Sequence, residues 1–243
     1  MGLFNHYQKE GRGVDKDAKT PRLILFFQIY FRKFWKLILI NMLYVLFCLP
    51  IFTIGPATAG VTKLWRNYAR EEHAFIWGDF IETFKKNFKQ AFLYSLAEGF
   101  AVAFLVLDFL MIANVTNQVM KILSLAAILL TLTVIVFMHY YVYNMMVTFR
   151  LSFKQLVKNA FIFCWAGFWR NLITTVILVL LTMAAISLNV IGVLFIMATV
   201  YFSLCGLLIN FMVNPLIKKY MIDGFDPATG ERLEEEKYEG FEE

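Results

Sequence analysis

The sequence predicts an all-α integral membrane protein, and its composition and apolar segments carry that prediction. Apolar residues make up 60% of the 243 residues and charged residues 17%, whereas about 25% of the residues in a soluble domain are charged. Five apolar segments reach the ~20 residues that a helix needs to cross a bilayer. A single soluble core of this length could not hide so much apolar surface. Secreted, disordered and disulfide-stabilised classes are therefore excluded.

The five predicted transmembrane helices are separated by short polar breaks. They lie at residues 34–54, 91–113, 121–142, 172–188 and 191–213. Residues 114–118 form a polar turn between the second and third helices. A tight hairpin is required at Asn189 and Val190, because one continuous helix over the last two segments would far exceed the bilayer.

A shorter sixth helix is predicted at residues 56–70, after a Gly-Pro breaker. It carries Lys63, Arg66 and Arg70, so we expect it to pack within protein or to be partly re-entrant rather than to face lipid. If it returns the chain to the cytoplasm, Lys121 is the one external basic residue among 23 Lys and Arg. Five complete crossings without this return would place many more basic residues outside. The positive-inside rule therefore favours the return helix and two cytoplasmic termini.

Two segments mix aromatic residues with Lys and Arg and are predicted to lie as amphipathic helices in the headgroup plane. They span residues 71–90 and 150–170. Basic and aromatic residues also recur as FRKFWK at 31–36, FKKNFK at 84–89 and WAGFWR at 165–170. Each motif precedes an apolar segment, which predicts three pseudo-repeated units. The side chains expected to anchor the protein at the interface are Arg32, Lys33, Trp35, Lys85, Lys86, Lys89, Trp169 and Arg170.

The charge distribution divides the chain into a basic helical membrane domain, residues 1–222, and an acidic tail, residues 223–243. The formal net charge is +5, yet the tail holds nine acidic and two basic residues. We expect the tail to be a disordered cytoplasmic end. The basic residues of the membrane domain flank apolar segments, which indicates the lipid bilayer and its anionic headgroups as partners, and not nucleic acid.

No constellation in the sequence indicates catalysis, a cofactor or a metal. His6, His73 and His139 are scattered, and the three cysteines stand apart in apolar runs, where we expect them to be small buried hydrophobes. The sequence contains no Walker loop, dinucleotide fingerprint, HExxH motif or nucleophile elbow. We therefore expect a protein that is not an enzyme and that has no catalytic residue, cofactor or bound metal.

Polar residues inside the predicted spans form a candidate site, which comprises Glu98, Asp108, His139 and Asn41. A charge at mid-bilayer costs about 2.5–3.5 kcal/mol on insertion scales, so such residues are functional candidates. Glu98 and Asp108 lie about 80° apart around the helix axis and do not form a close pair. Folding the hairpin about residue 116 places His139 about one turn from Glu98, which brings a contact between the two side chains within reach. That contact would be either a structural pair or part of proton or solute coupling. For Asn41 we expect hydrogen bonds between helices.

The most unusual local chemistry is a run of small residues and prolines that we call the elbow. Its candidate residues are Thr53, Gly55, Pro56, Thr58 and Gly60. Small residues allow close backbone approach, and prolines break helix continuity. The elbow is therefore either a tight external turn or a segment that docks a partner or contacts a solute.

Residues 31–91 resemble the YesL family, also called DUF624, of small membrane proteins from Gram-positive bacteria. The resemblance is carried by Asn41, by LPIFTIGPATA at 49–59, by Asp79-Phe80 and by FKKNFKQA at 84–91. Pro56 departs from the alanine or serine that is commoner in the family. Members are often encoded near sugar ABC importers and polysaccharide-degrading enzymes. The resemblance thus implies an accessory role in carbohydrate uptake, with ABC permease subunits as partners, and supplies no catalytic residues.

Three functions are open at this point. The leading hypothesis is a non-enzymatic accessory protein of a carbohydrate import system that packs against the permease. The alternative is a small-solute transporter that uses Glu98, Asp108 and His139. A membrane-embedded enzyme is disfavoured, because no pair of nucleophile and base can be named.

Overall fold

The computed structural model describes residues 22–223, and within this range all regular secondary structure is helical. The helices are α1 (Arg22–Arg32), α2 (Phe34–Cys48), α3 (Ile54–Ala69), α4 (Ile76–Met111), α5 (Gln118–Thr148), α6 (Phe153–Ala166), α7 (Phe168–Ile186), α8 (Val190–Ile196) and α9 (Phe202–Met221). A π-helical turn at Met197–Tyr201 joins α8 to α9. The all-α class is confirmed for this part of the chain. The N-terminal leader and the predicted acidic tail beyond Asp223 lie outside the described residues.

Four helical stretches in the described range are long and apolar enough to cross a membrane. They are Ile76–Asn114, Gln118–Thr148, Phe168–Ile186 and Val190–Met221. Three of them contain a predicted span, and Phe168–Ile186 covers all but the last two residues of the predicted span 172–188. The predicted first span, residues 34–54, ends as an α-helix after 15 residues, which is about 22 Å against a hydrocarbon core of about 30 Å. The break comes at Pro50, which has no N–H to continue the helix and is extended. Five complete crossings are therefore not confirmed.

Residues 56–70 do form a helix, and this helix, α3, is the central element of the bundle. Every residue of α3 is buried except Ile54, Lys63 and Ala69. Helices α2, α4, α5 and α9 all pack against it. The expectation that this helix packs within protein is confirmed, and its role as a return crossing stays a prediction.

Glycines in α3 set the distance to its neighbour α4. A Cβ atom on Gly55 would lie 2.4 Å from the carbonyl oxygen of Ala91, and one on Gly60 would lie 2.7 Å from the ring of Phe80. Any larger residue would push the two helices apart. The small residues of the elbow therefore serve close helix packing.

The first predicted amphipathic segment, residues 71–90, is not a separate interfacial helix. Its larger part is the first half of α4, a single helix of 36 residues and about 54 Å in length. Between Gly78 and Gly99 the sequence has no glycine or proline that would interrupt it. The second predicted segment, residues 150–170, does contain a separate helix, α6, which follows a capping box at Ser152 and ends at Ala166, where Gly167 is its C-cap.

Hydrogen bonds between helices gather basic residues at one end of the bundle, which we call the basic end. Arg66, late in α3, donates to the carbonyl oxygen of Val147 late in α5. Arg170, early in α7, donates to the carbonyl oxygen of Met212 late in α9. Arg22 of α1 also lies here, where burial first and the charge of Arg170 second lower its pKa. Cations therefore crowd one another at this end.

The opposite end carries a two-helix projection that we call the outer arm, residues 100–131. It comprises the second half of α4, the turn after it and the first half of α5. Within these residues, all of them described, Leu105 and Ile112 alone are buried. The protein core lies elsewhere, in one apolar cluster among α5, α6 and α9 and another among α1, α2, α3 and α9.

Candidate functional site

Glu98 and His139 form the contact that the hairpin geometry predicts. The imidazole Nδ1 of His139 lies 2.8 Å from Oε1 of Glu98 and joins α4 to α5. The Glu98 side chain is 18% exposed and that of His139 is 38% exposed, so the pair lies at the edge of the bundle. A hydrogen-bonded partner reduces the cost of holding a carboxylate inside a membrane.

Aromatic rings and a small cavity surround this pair. The ring of Tyr143 packs edge-on against His139 at 5.1 Å, and Tyr94 packs against Tyr143 at 5.4 Å. His139 also lines a cavity of about 40 Å³, together with Thr58 and Asn210. A polar cavity of this size can hold a few water molecules and is too small for a sugar.

A chain of hydrogen bonds leads from this cavity to the basic end. Asn210 accepts a bond of 2.7 Å from Nδ2 of Asn144. The carbonyl oxygen of Asn144 accepts a bond of 2.6 Å from the hydroxyl of Thr148. The Thr148 hydroxyl in turn accepts a bond of 2.8 Å from Nη1 of Arg66. A polar column thus runs from the cavity that His139 lines to the basic end along α3, α5 and α9.

Arg66, Asn210 and Asn214 are buried polar residues that were not among the predicted site residues. Among residues 22–223, Nε of Arg66 and both amide atoms of Asn214 are buried without a hydrogen-bond partner. Such atoms are sites for bridging water. The available signal was the four-residue spacing of the two asparagines, which places both on one face of an otherwise apolar helix.

Asp108 belongs to a different part of the molecule. It lines a cavity of about 470 Å³ in the outer arm, whose wall is mostly apolar and also includes Ser124 and Thr131. In the described part of the chain no Lys, Arg or His forms an ion pair with it. The structure therefore separates Asp108 from Glu98, as the helical angle between them predicts.

The five elbow residues are buried. Thr53 closes the turn by donating its hydroxyl to the carbonyl oxygens of Phe47 and Pro50. Thr58 lies 3.1 Å from the hydroxyl of Tyr44. The buried elbow residues are Thr53, Gly55, Pro56, Thr58 and Gly60. Helices α2 and α4 pack against these residues, and their role, as a tight turn or as a contact with a partner or a solute, stays a prediction.

Asn41 is fully buried and joins α2 to the π-helical turn. Its Nδ2 donates to the carbonyl oxygen of Met197 at 2.9 Å, and its Oδ1 accepts from the backbone N–H of Ser203 at 3.0 Å. A π-helical turn disturbs the regular α-helical hydrogen bonds, and this side chain pairs with two backbone groups there. The expected role of Asn41 between helices is confirmed.

Most of the predicted interfacial anchors are exposed. Those are Arg32, Trp35, Lys85, Lys86, Lys89 and Trp169. Lys33 and Arg170 are half-buried and make contacts within the protein. The ammonium of Lys33 lies 5.4 Å from the centre of the Tyr68 ring, and Arg170 bonds to Met212. Their role in lipid binding stays a prediction.

His, Cys, Asp and Glu are the residue types that can hold a metal ion, and two Cys can form a disulfide. Residues 22–223 contain no group of three His, Cys, Asp or Glu side chains arranged to hold a metal ion. The three cysteines, which all lie in the described range, form no disulfide there.

Comparison with known proteins matches residues 37–109 to a family described as "Protein of unknown function, DUF624". No curated protein and no solved structure matches the chain. The matched residues include most of α2, all of α3 and most of α4, which is the segment with the buried elbow and Glu98. This match supports the DUF624 family for the chain.

Proposed function

We propose that this protein is a non-enzymatic accessory subunit of a carbohydrate importer in the membrane of a Gram-positive bacterium, as a member of the YesL group. The observation that supports the proposal is the exposure of the outer arm. Of its residues, all of which the structure describes, Leu105 and Ile112 alone are buried. An arm of two apolar helices offers a long lateral surface to the membrane-spanning subunits of an ABC permease. The small cavity beside His139 gives no room for a sugar and agrees with a role that does not require sugar binding.

Photocrosslinking from the outer arm tests this proposal. A photoreactive amino acid replaces Phe104 in the arm, and the matched control replaces Leu180 in α7, because both side chains are 64% exposed. After illumination of native membranes, adducts are purified and identified by mass spectrometry. The proposal expects permease subunits on the Phe104 position and few on the Leu180 position. If no adduct from the Phe104 position contains a permease subunit, the accessory role is refuted.

We also propose that both termini are cytoplasmic and that α2 and α3 form a hairpin entered from the basic end. In this arrangement α2 and the turn after it supply a fifth crossing, α3 supplies a short return, and three pseudo-repeated units follow one another. The gathering of basic side chains at one end supports it. Reporter fusions at Asn5 and Glu71 should both report the cytoplasm, and an external Asn5 would refute the orientation.

A second candidate function, small-solute transport, is favoured by the Glu98–His139 contact and the polar column behind it. Coupling through these residues predicts a flux that depends on pH. In proteoliposomes, Glu98→Gln should abolish solute uptake, while Glu72→Gln, at an exposed carboxylate between α3 and α4, serves as the control. Absence of uptake for every sugar tested with the unaltered protein would exclude this function for sugars.

A further inference from the structure

A polar cleft opens at the basic end between α3, α4 and the end of α5. It has a volume of about 370 Å³ and is lined by three cations, Lys63, Lys86 and Arg150, and by two carboxylates, Asp79 and Glu82. No two of these five side chains form an ion pair in the described structure. The cations are therefore not neutralised by direct contact with carboxylates.

Of the two carboxylates, Asp79 is already hydrogen-bonded. Oδ2 of Asp79 accepts a 2.9 Å hydrogen bond from the backbone N–H of Phe75 at the start of α4. In the described range, Glu82 pairs with none of the three cations of the cleft. Lys86 and Arg150, which are both exposed, thus remain as cations available to a ligand.

A buried guanidinium lies against the wall of this cleft. Arg66 is 5% exposed and donates to the carbonyl oxygen of Val147 and the hydroxyl of Thr148, and both of those residues line the cleft. Within residues 22–223 no carboxylate lies within 4 Å of Arg66, and its Nε has no partner. The charges of Glu72 and Asp79 reach Arg66 from beyond ion-pair distance. Because burial of a charge without a contacting partner of opposite sign is costly, this position favours a nearby anion.

We propose that this cleft is a binding site for a phosphate group. The Arg150 guanidinium offers a planar set of donors that matches phosphate oxygens, Lys86 adds a compact positive charge, and Arg66 supplies positive potential from beneath. Basic pockets between helices at the cytoplasmic side of a membrane are suited to lipid headgroups. The phosphate belongs either to an anionic phospholipid or to a free phosphorylated solute. This inference does not depend on the carbohydrate role.

The test uses two double variants of the full-length protein in phosphatidylcholine nanodiscs. Lys86→Gln/Arg150→Gln removes two cations that line the cleft. Lys85→Gln/Lys89→Gln removes two exposed cations from the same stretch of α4. Neither of these two residues lines the cleft. Both double variants lose the same charge. The thermal unfolding midpoint is measured with added inorganic phosphate or glycerol 1-phosphate against chloride at equal ionic strength. A second arm replaces part of the phosphatidylcholine with phosphatidylglycerol.

The unaltered protein and the Lys85/Lys89 variant should gain thermal stability in at least one arm. The Lys86/Arg150 variant should lose that gain, with an apparent affinity weakened about tenfold or more. A gain with soluble phosphate and none with phosphatidylglycerol identifies a free phosphorylated solute, and a gain with phosphatidylglycerol, with or without one from soluble phosphate, identifies a lipid headgroup. The proposal is overturned if neither arm stabilises the unaltered protein, or if both double variants lose the gain equally.

Discussion

Helix α3 and the outer arm show opposite relations between composition and burial. Helix α3 is rich in Gly, Ala and Thr and contains Lys63 and Arg66, yet almost all of it is buried. The outer arm is built mainly from large apolar residues, yet nearly all of it faces outwards. In a soluble protein the reverse is expected, because large apolar side chains form the core.

The bilayer explains this inversion. Lipid tails are as apolar as leucine, so a leucine gains little by leaving lipid for the protein interior. Helices associate instead through close packing of small residues and through hydrogen bonds. Helix α3 has both, and the outer arm has few of either. The stability of the bundle should therefore depend on α3 and its neighbours and hardly at all on the arm.

The largest loss of stability is expected from Gly206→Ala in α9. A Cβ atom there would lie 2.2 Å from Cε3 of Trp65, a rigid and buried ring of α3. We expect the free energy of unfolding to fall by about 3 kcal/mol, at the upper end of overpacking effects. Unfolding in mixed detergent micelles with increasing sodium dodecyl sulfate measures it.

The matched control is Gly99→Ala in α4, next to the outer arm. An added Cβ there has no atom within 4 Å. Alanine should instead stabilise the helix by about 0.5–1 kcal/mol. Equal destabilisation by the two substitutions would contradict the distinction between core and arm.

A smaller loss of stability is expected from Asn41→Ala. This change leaves the carbonyl oxygen of Met197 and the N–H of Ser203 without their side-chain partner, which should cost about 2 kcal/mol. Amide hydrogen exchange should rise over residues 197–203 in particular. The control is Asn87→Ala, because Asn87 bonds within its own helix to Thr83. If the π-helical turn exchanges no faster in the Asn41 variant, this side chain does not hold it.

The Glu98–His139 contact should contribute less, because it lies at the edge of the bundle. A double-mutant cycle with Glu98→Gln and His139→Gln should give a coupling energy of about 1 kcal/mol, within the range found for polar contacts in membrane proteins. A second cycle with Asp108→Asn and His139→Gln should give a coupling near zero. A similar coupling in both cycles would mean that the contact has no specific energetic role.

The sequence was sufficient for the features that follow from helical periodicity. Four of the spans, and the contact of Glu98 with His139, result from segment length and from folding one hairpin. Lys63, Arg66 and Arg70 also indicated that the helix after the elbow would avoid lipid. The helix break at Pro50 was visible as a residue, but the apolar residues beyond it led to a predicted span that was too long.

The features that could not be predicted depend on which helices pack against each other. Local sequence patterns do not encode this pairing of helices. The fit of Trp65 against Gly206 joins residues that are far apart in the chain, and the same holds for the polar column from Asn210 to Arg66. The continuity of α4 was missed for another reason. Its amphipathic and apolar halves differ in composition, although no glycine or proline separates residues 79–98.

The smallest effect is expected from Asp108→Asn in the outer arm. Asp108 forms no ion pair within residues 22–223, so the substitution removes no partner, and an asparagine is cheaper to hold in a membrane than a charged carboxylate. The free energy of unfolding should change by less than about 0.5 kcal/mol in the same detergent assay. A loss comparable to that of Asn41→Ala would show that the arm contains a stabilising polar contact. In that case the bundle could not be divided into a packed core around α3 and an arm that adds little to its stability.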